Sequence, residues 1–312
     1  MSEILAYLNG RMVPASQARL AIHDLGIVMG VTVSEQTRTF AKRLYRLADH
    51  IDRLFRSLAI VGIEIELAKK ELTSLSEELV AHNAKSLGEW DDLGLIHFVT
   101  AGEHSIYGGE HAPSRPTVCA HTYPLPFQLW ANKLRDGVHL MTPSIRQIPP
   151  QCCSPRLKCR SRMHYYLAEK EVQAQDPDAI ALLLDGEDKV TETSTANFLM
   201  VTGGSIVTPP LAYTFAGISR ATVCRLAGSL DIPFLERDLV VSEISRASEV
   251  LLSSTGFCLL PVTRINGVSI GDGKPGPVFR KLLRAWSQEV GVDIGAQISN
   301  ASEARCREAR GV

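Results

Sequence analysis

The stretch KVTETSTANFLMVTGGSIVTPP, residues 189–210, decides the architecture of the second half of the chain. Two apolar runs flank Gly203 and Gly204, and a glycine pair between such runs is typical of a β-hairpin. Pro209 ends the second run, because proline cannot donate to a strand ladder. Glu192 stands between β-branched residues at the end of this apolar hairpin, and a carboxylate in such surroundings needs a partner. The stretch therefore predicts a hairpin that carries one candidate functional acid.

Strand and helix patterns are intermixed on both sides of this hairpin. Asn9-Gly10 between short alternating runs predicts a second hairpin near the start of the chain. The apolar residues of DHIDRLFRSLAIVG, residues 49–62, follow helical spacing, and Gly62 marks the end of that helix. Further helices are predicted within residues 66–84, 162–175 and 218–230, and further strands within 93–102, 137–142, 179–185 and 248–256. The predicted fold class is α+β.

Length and local composition predict two domains. A chain of 312 residues is ordinary for two domains, and Pro124 and Pro126 interrupt regular structure near the middle. We expect an N-terminal α+β domain over residues 1–126, a linker over 127–131 and a C-terminal domain over 132–292. The polar segment 293–312 is expected to be a peripheral tail.

Charge and cysteine content argue against several function classes. The formal net charge is −1 and 45% of the residues are hydrophobic, so no overall field favours nucleic acid or a membrane surface. The seven cysteines include no CxxC pair, so a zinc ribbon is not expected and no metal site is predicted. Reduced thiols and the absence of a signal-peptide pattern predict a cytoplasmic protein.

The segment SPRLKCRSRM, residues 154–163, places Lys158 among three arginines. Neighbouring positive charge lowers the pKa of an amine, and a neutral amine is what imine chemistry requires. The same arginines are also compatible with a solvated basic turn or a local anion site. The segment therefore nominates Lys158 as a reactive amine and leaves the other interpretations open.

Three other short stretches offer groups that bind a phosphate. Arg53 lies one helical turn from His50, and Ile218 and Ser219 stand at a predicted helix N-terminus, where free amides attract anions. Ser254 and Thr255 end a predicted strand next to Gly256. Together with the amine of Lys158 and the carboxylate of Glu192, these groups match pyridoxal 5′-phosphate (PLP), which carries an aldehyde, a basic ring nitrogen and a phosphate.

Five motifs in chain order resemble the class IV, or fold-type IV, PLP enzymes. The family includes branched-chain aminotransferases, D-amino-acid aminotransferases and aminodeoxychorismate lyases. The matching segments are YLNGRMVPASQARLAIHDLGIVMGVTVSE (7–35), HIDRLFRS (50–57), KVTETSTANFLMV (189–201), GISR (217–220) and SSTGFCLLPVTRINGVSIGDGKPGP (253–277). The resemblance implies two α+β domains with the cofactor between them and at least a homodimer.

The resemblance also implies residue roles. Lys158 is the Schiff-base lysine and Glu192 pairs with the pyridine nitrogen. The phosphate is bound by Arg53, Ile218, Ser219 and Thr255, with Ser254 close by.

The substrate half of the site departs from the family pattern. Leu25 replaces an arginine, Met29 and Ser34 replace aromatic residues, and Ala101 stands where D-amino-acid aminotransferases carry an arginine. Substrate contacts are predicted for Met29, Arg38, Arg162 and Gly256, with Arg160 and Arg162 as further groups that lower the pKa of Lys158 or meet an anionic substrate.

The predicted activity is transfer of an amino group from an amino acid to a 2-oxo acid by a ping-pong mechanism, with branched-chain or similar apolar L-amino acids favoured. Three alternatives remain open, besides a D-amino-acid specificity. The first is a lyase of the aminodeoxychorismate type, against which the presence of Glu35 counts. The second is a PLP-binding protein without catalysis. The third is a nucleic-acid-binding module, which only the local arginines support.

Overall fold

The computed structural model describes residues 3–108 and 115–310 of the chain. Two compact units divide it: the first comprises Met1–Leu125 and Leu157–Ser161, and the second comprises Pro126–Arg156 and Arg162–Val312. The short segment Leu157–Ser161 therefore belongs with the N-terminal half, whereas the sequence had placed it in the domain over residues 132–292.

The first unit is an antiparallel sheet with helices. Its elements are β1 (Leu5–Leu8), β2 (Arg11–Pro14), α1 (Leu25–Val28), β3 (Thr32–Phe40), β4 (Arg43–Leu44), α2 (Leu47–Val61), α3 (Lys69–Asn83), β5 (Leu93–Thr100), α4 (Ser105–Gly108) and β6 (Thr117–Pro124). Among the described residues the strand order is β2-β1-β6-β5-β3-β4. Residues from α2 and α3 form one apolar cluster with side chains of β3 and β5, so these helices cover one face of the sheet.

Turn residues explain the ends of several of these elements. Asn9 and Gly10 have φ values of 47° and 89°, and the predicted hairpin between β1 and β2 is confirmed. Helix α2 ends at Gly62, whose φ is 69° and whose amide donates to the carbonyl of Leu58 or Ala59, as predicted. The predicted helix α3 and strand β5 are confirmed as well.

The second unit is a larger mixed sheet with helices. Its elements are α5 (Phe127–Asp136), β7 (Val138–Met141), α6 (Met163–Gln173), β8 (Ile180–Leu184), β9 (Val190–Thr193), β10 (Asn197–Thr202), β11 (Ser205–Thr208), α7 (Ile218–Ser229), β12 (Phe234–Glu236), α8 (Val241–Ile244), β13 (Glu249–Ser254), β14 (Cys258–Ile265), β15 (Val268–Ser269), α9 (Pro277–Val290) and α10 (Ile294–Arg310). In the described part of the chain, the strand order is β12-β11-β10-β13-β14-β7-β8-β9, and β15 joins β14.

A pairing between β9 and β10 closes part of this sheet into a ring. Asn197 on β10 pairs with Glu192 on β9, while β9 also pairs with β8. Because β10 is linked to β8 on the other side through β13, β14 and β7, the ring is complete. The apolar interior of this unit includes Phe198 and Leu252, and the predicted glycine hairpin between β10 and β11 is confirmed.

The segments expected as a linker and as a peripheral tail are helical in the structure. The segment 127–131 is the first half of helix α5, not a linker, and Phe127 is fully buried. The segment 293–312 is mostly helix α10, and its last two residues lie outside the described ones. Ile294, Ile298 and Ala301 recur at helical spacing and are buried, so this segment packs as part of the second unit.

Candidate active site

Residues 158–160 form a short extended segment along the edge of β3 in the first unit. The amide of Ser34 donates to the carbonyl of Lys158 at 2.8 Å, and the amide of Arg160 donates to the carbonyl of Thr32 at 3.3 Å. The Lys158 amide donates to the hydroxyl of Ser57 on α2 at 3.3 Å. The backbone of the predicted reactive lysine is therefore fixed on both sides by the first unit, within the loop before α6 that the sequence predicted.

Arg53 lies on helix α2 of the same unit and is buried together with Glu35 of β3. Its Nε donates to Glu35 Oε2 at 2.7 Å and its Nη2 donates to Oε1 at 2.6 Å. The ring Nδ1 of His50 lies 2.9 Å from the same Oε1. The carboxylate of Glu35 is fully buried, so the fork-to-fork pair with Arg53 is shielded from water.

The charges of this cluster are balanced internally. The Arg53 guanidinium and the His50 hydrogen bond hold the pKa of Glu35 well below its usual range, although burial opposes this shift most strongly. Burial lowers the pKa of His50, so its ring is neutral near pH 7. Two of the N–H groups of Arg53 therefore already serve Glu35, and Glu35 orients the guanidinium that the sequence nominated for the phosphate.

Glu192 lies on β9 of the second unit and is 7% exposed. Its neutral donors are the Tyr165 hydroxyl at 3.2 Å, the Asn197 side-chain amide at 3.0 Å and the Phe215 backbone amide at 3.2 Å from the nearer oxygen. Gln147 Nε2 is at 3.4 Å, a long contact. Among the described residues, no lysine or arginine forms an ion pair with this carboxylate.

Burial raises the pKa of Glu192 to about 7, while the Phe215 amide, the Tyr165 hydroxyl and the more distant charge of Arg162 oppose the rise. A buried acid held by neutral donors is suited to a cationic ligand, since such a ligand would supply the missing charge. A protonated ring nitrogen is a cation of this kind. The donor set around Glu192 therefore fits the pyridine ring of PLP.

The N-terminus of α7 lies next to this carboxylate. Gly217 precedes the helix, and the first amides, those of Ile218 and Ser219, have no side-chain cap. A Cβ on Gly217 would stand 2.0 Å from Asn197 Oδ1, so only glycine lets the chain approach Asn197 this closely. Uncapped amides at the start of a helix fit a phosphate.

Ser254 is the last residue of β13 in the same unit, and Thr255 and Gly256 follow it. The Ser254 hydroxyl donates to the carbonyl of Thr195 at 2.7 Å, so this side chain fixes the turn. Thr255 is partly exposed. A Cβ on Gly256 would stand 3.0 Å from the ring of Trp130, which explains the need for a small residue there.

The predicted substrate residues lie in different surroundings. Met29 is 66% exposed at the end of α1. The guanidinium carbon of Arg162 lies 4.9 Å from the ring centroid of Tyr165 in the second unit. Arg38 is 1% exposed: its Nε donates to the carbonyl of Thr39, and its guanidinium lies over the ring of Phe40. Arg38 is therefore buried within the first unit, and its contact with a substrate stays a prediction.

Sequence reasoning missed several residues of these clusters. Tyr165 and the Phe215 amide donate hydrogen bonds to Glu192. They lie 27 and 23 residues from it in the chain, and no local sequence pattern predicts contacts between residues so far apart. Asn197 belongs to the motif of residues 189–201 and could have been nominated from it. Glu35 was noticed only as a family position, and its pairing with Arg53 became visible only in the structure.

A sequence model described as amino-transferase class IV matches residues 32–265 of the chain. The D-alanine aminotransferase of Staphylococcus aureus (strain N315) is 29% identical over 287 residues, which cover 91% of this chain and 97% of that protein. Branched-chain-amino-acid aminotransferase-like protein 1 of Arabidopsis thaliana is 28% identical over 94% of this chain. The chain spans about half, 52%, of the length of this Arabidopsis relative.

Solved structures give the same picture of the fold. The branched-chain aminotransferase of the thermophilic archaeon Thermoproteus uzoniensis, solved with norvaline, superposes with a TM-score of 0.82 at 26% identity. The match covers 93% of this chain and 96% of that one. The predicted α+β, fold-type IV class is therefore confirmed.

Proposed function

The chain belongs to the class IV aminotransferase family and is a PLP-dependent transaminase. From that premise we propose that it transfers the amino group of an apolar L-amino acid to a 2-oxo acid. Branched-chain amino acids are the favoured donors. The observation that carries the proposal is Glu192, a buried carboxylate with neutral donors and a pKa raised to about 7, beside the uncapped N-terminus of α7.

The proposed cofactor roles are assigned residue by residue. Glu192 would hold the ring nitrogen, and the amides of Ile218 and Ser219 with the Thr255 hydroxyl would hold the phosphate. Arg53, oriented by Glu35, would add charge to the phosphate site. Ser254 would keep the turn before Thr255 in place through its hydrogen bond to Thr195.

Lys158 is the proposed catalytic residue. When bound, PLP supplies an electrophilic carbon for amino-group exchange and a ring that withdraws electrons from the substrate α-carbon. The amine of Lys158 would attach the resting cofactor and, once released, take and return the proton at the substrate α-carbon. The hydrogen bonds of residues 158–160 to β3 support this role, because they hold the lysine backbone in one position.

A second candidate function is transamination of D-amino acids. The S. aureus relative is named a D-alanine aminotransferase and is as similar in sequence as the relative named for branched-chain amino acids. The chain lacks the arginine expected at Ala101 for that specificity, so L-amino acids remain favoured.

An absorbance spectrum of the purified protein with PLP tests the proposal. We expect a band near ~410–420 nm that L-leucine converts to one near ~330 nm. Conversion by D-alanine alone would favour the second candidate, and a band inert to every amino acid would favour a lyase. Absence of any band after addition of PLP would contradict the proposal.

Lys158→Ala tests the assigned amine. We expect the variant to fold, shown by an unchanged far-ultraviolet circular dichroism spectrum, and to lose turnover. Lys170→Ala, an exposed lysine on α6, is the matched control and should keep full activity. Turnover retained by Lys158→Ala would contradict the assignment.

Quaternary structure and location are also proposed. Exposed apolar side chains of two adjacent segments in the first unit, Ile22, Ile27, Ile106 and Tyr107, would be covered in a homodimer. A solution mass near twice 34.1 kDa by light scattering would support the dimer.

The proposed location is the cytoplasm. All seven cysteines are free, which suits a reducing compartment. None of the helices within the described ranges combines the length and apolar character that a membrane crossing needs.

A further inference from the structure

Lys158 and Arg160 share one face of the segment that extends β3. The bonds from Ser34 to Lys158 and from Arg160 to Thr32 keep this segment extended. Successive side chains of an extended chain point to opposite sides, and each residue advances about 3.3 Å. The two side chains therefore leave the same face with their Cα atoms roughly 6.6 Å apart, while Cys159 between them points to the other face.

The charge of Arg160 is not compensated by its neighbours. Its guanidinium carbon lies 4.5 Å from the ring centroid of Phe98, and the residue as a whole is exposed. The titratable neighbours are Cys119, whose pKa burial raises to about 11, and His121, whose pKa burial lowers, so both are neutral near pH 7. Within the described ranges, no carboxylate forms an ion pair with Arg160.

The guanidinium of Arg160, stacked on Phe98, can bind a planar anion through its N–H edge. The ring of Phe98 covers one face of the guanidinium, so its N–H edge is left for a ligand in the plane. A carboxylate matches that edge through two parallel charge-assisted hydrogen bonds. Because Arg160 is exposed, this N–H edge is accessible to a ligand that enters from solvent.

We propose that Arg160 is a specificity-determining residue that binds the carboxylate of the amino acid and of the 2-oxo acid substrate. The proposal rests on the proposed function, because it requires the substrate to react at Lys158. Arg160 thereby distinguishes amino acids and 2-oxo acids from amines and carbonyl compounds that lack a carboxylate.

The surroundings of Arg160 also define the rest of the substrate. Phe98 and Ile96 alternate on β5, so both lie on the sheet face that Arg160 covers, opposite Ser34 and Gln36 of β3. Phe98 and Ile96 are the apolar part of this face, which Ser34, Gln36 and His121 share, and a short apolar substrate side chain would contact these two residues. The ligand class is therefore a carboxylate with a short apolar chain.

Binding of an unreactive acid provides the test. The probes are 4-methylvaleric acid and its neutral amide, titrated calorimetrically into the PLP-loaded protein at pH 7.5. We expect the wild type to bind the acid about 10- to 100-fold more tightly than the amide, the range of a charge-assisted pair. Arg160→Gln should bring this ratio close to one, and Arg160→Met should do the same while it keeps the contact with Phe98.

Arg156→Gln is the matched control. Arg156 lies four residues earlier and is likewise exposed, but it belongs to the second unit and not to the segment along β3, so the acid preference should persist in this variant. The KM for a 2-oxo acid should rise in Arg160→Gln by a factor similar to the loss in acid binding, with kcat reduced much less.

Two results would overturn the inference: no preference of the wild type for the acid, or a preference that Arg160→Gln retains. If the protein shows the cofactor band and L-leucine converts it while either result is found, only the inference fails. If no cofactor band forms, the proposed function fails and the inference with it.

Discussion

Glu35 and Glu192 are both buried carboxylates, and their environments differ in one respect. Glu35 receives a guanidinium from its own unit, Arg53, and its pKa is lowered. Glu192 receives neutral donors, and its pKa is raised to about 7. A buried acid with a cation from the protein is part of the fold, whereas one with neutral donors is ready for a ligand that brings the charge. The comparison separates a supporting carboxylate from a cofactor-binding one.

The largest expected effect is on the free energy of unfolding, when glutamate is replaced by glutamine at position 35 and, for comparison, at position 192. Glu35→Gln should lower the free energy of unfolding of the cofactor-free protein by about 3–5 kcal/mol, because Arg53 is left buried without its counter-ion. Glu192→Gln leaves no buried cation without a partner and removes the cost of ionising a buried acid, so at pH 7 it should raise the free energy of unfolding, by up to about 3 kcal/mol. Urea unfolding measures both values.

The reverse order of these two effects would break the comparison. Circular dichroism before unfolding shows whether each variant is folded, and the cofactor band of Glu192→Gln reports on ligand binding separately. We expect that band to form more weakly in Glu192→Gln than in the wild type.

The second prediction concerns pH. The pKa of Glu192 in the folded protein is raised to about 7 from its ordinary value of 4.5, so its contribution to stability is fully present below pH 4.5 and is lost as pH rises through 7. The loss is about 3 kcal/mol, since one pKa unit corresponds to about 1.4 kcal/mol. Buried His97, with its pKa lowered to about 4, acts in the opposite direction between pH 4 and 6.5.

The difference in unfolding free energy between wild type and Glu192→Gln isolates the Glu192 contribution, because His97 is common to both. This difference should decline between pH 4.5 and 8. A difference that stays constant over this range would show that Glu192 titrates normally.

The third prediction tests the close approach at the start of α7. Gly217→Ala should cost about 1–3 kcal/mol, because its Cβ would meet the Asn197 oxygen at 2.0 Å and displace a donor of Glu192. Gly228→Ala in the same helix is the control: its Cβ meets nothing within 4 Å, so the variant should be neutral or slightly more stable. Thermal unfolding of the two variants distinguishes the outcomes, and equal stabilities would contradict the prediction.

The smallest expected effect comes from one donor of Glu192. Tyr165→Phe removes the hydroxyl at 3.2 Å and should raise the pKa of Glu192 by up to about one unit, the value of a single hydrogen bond. The pH dependence of PLP affinity reports this shift. Tyr166→Phe alters an exposed neighbour and should leave the profile unchanged.

The sequence predicted elements whose signals are local. Asn9-Gly10 and Gly62 provide backbone conformations that few other residues adopt, so the hairpin and the end of α2 could be read directly. Helix α5 was missed because Pro124 and Pro126 suggested a break, although proline is compatible with a helix start. The buried stripe of Ile294 and Ile298 was readable as helical spacing and was outweighed by the polar composition of the segment.

For the candidate site too, the sequence predicted only what a local pattern indicates. Motif residues such as Glu192 and Arg53 could be nominated, because each lies in a short recognisable pattern. The partner of each could not, since Glu35 is 18 residues from Arg53 and Tyr165 is 27 residues from Glu192. Only tertiary pairing determines which buried acid is neutralised within the protein.

The first unit is built from two separate stretches of the chain, and this has a consequence for folding during protein synthesis. Its last strand-like segment, Leu157–Ser161, leaves the ribosome more than thirty residues after Leu125. Until then, the edge of β3 at Thr32 and Ser34 lacks its natural neighbour and can pair with other extended chains. A nascent or recombinant fragment that stops at Leu125 is therefore expected to aggregate or to recruit chaperones, and a fragment design should append residues 157–161 to protect that edge.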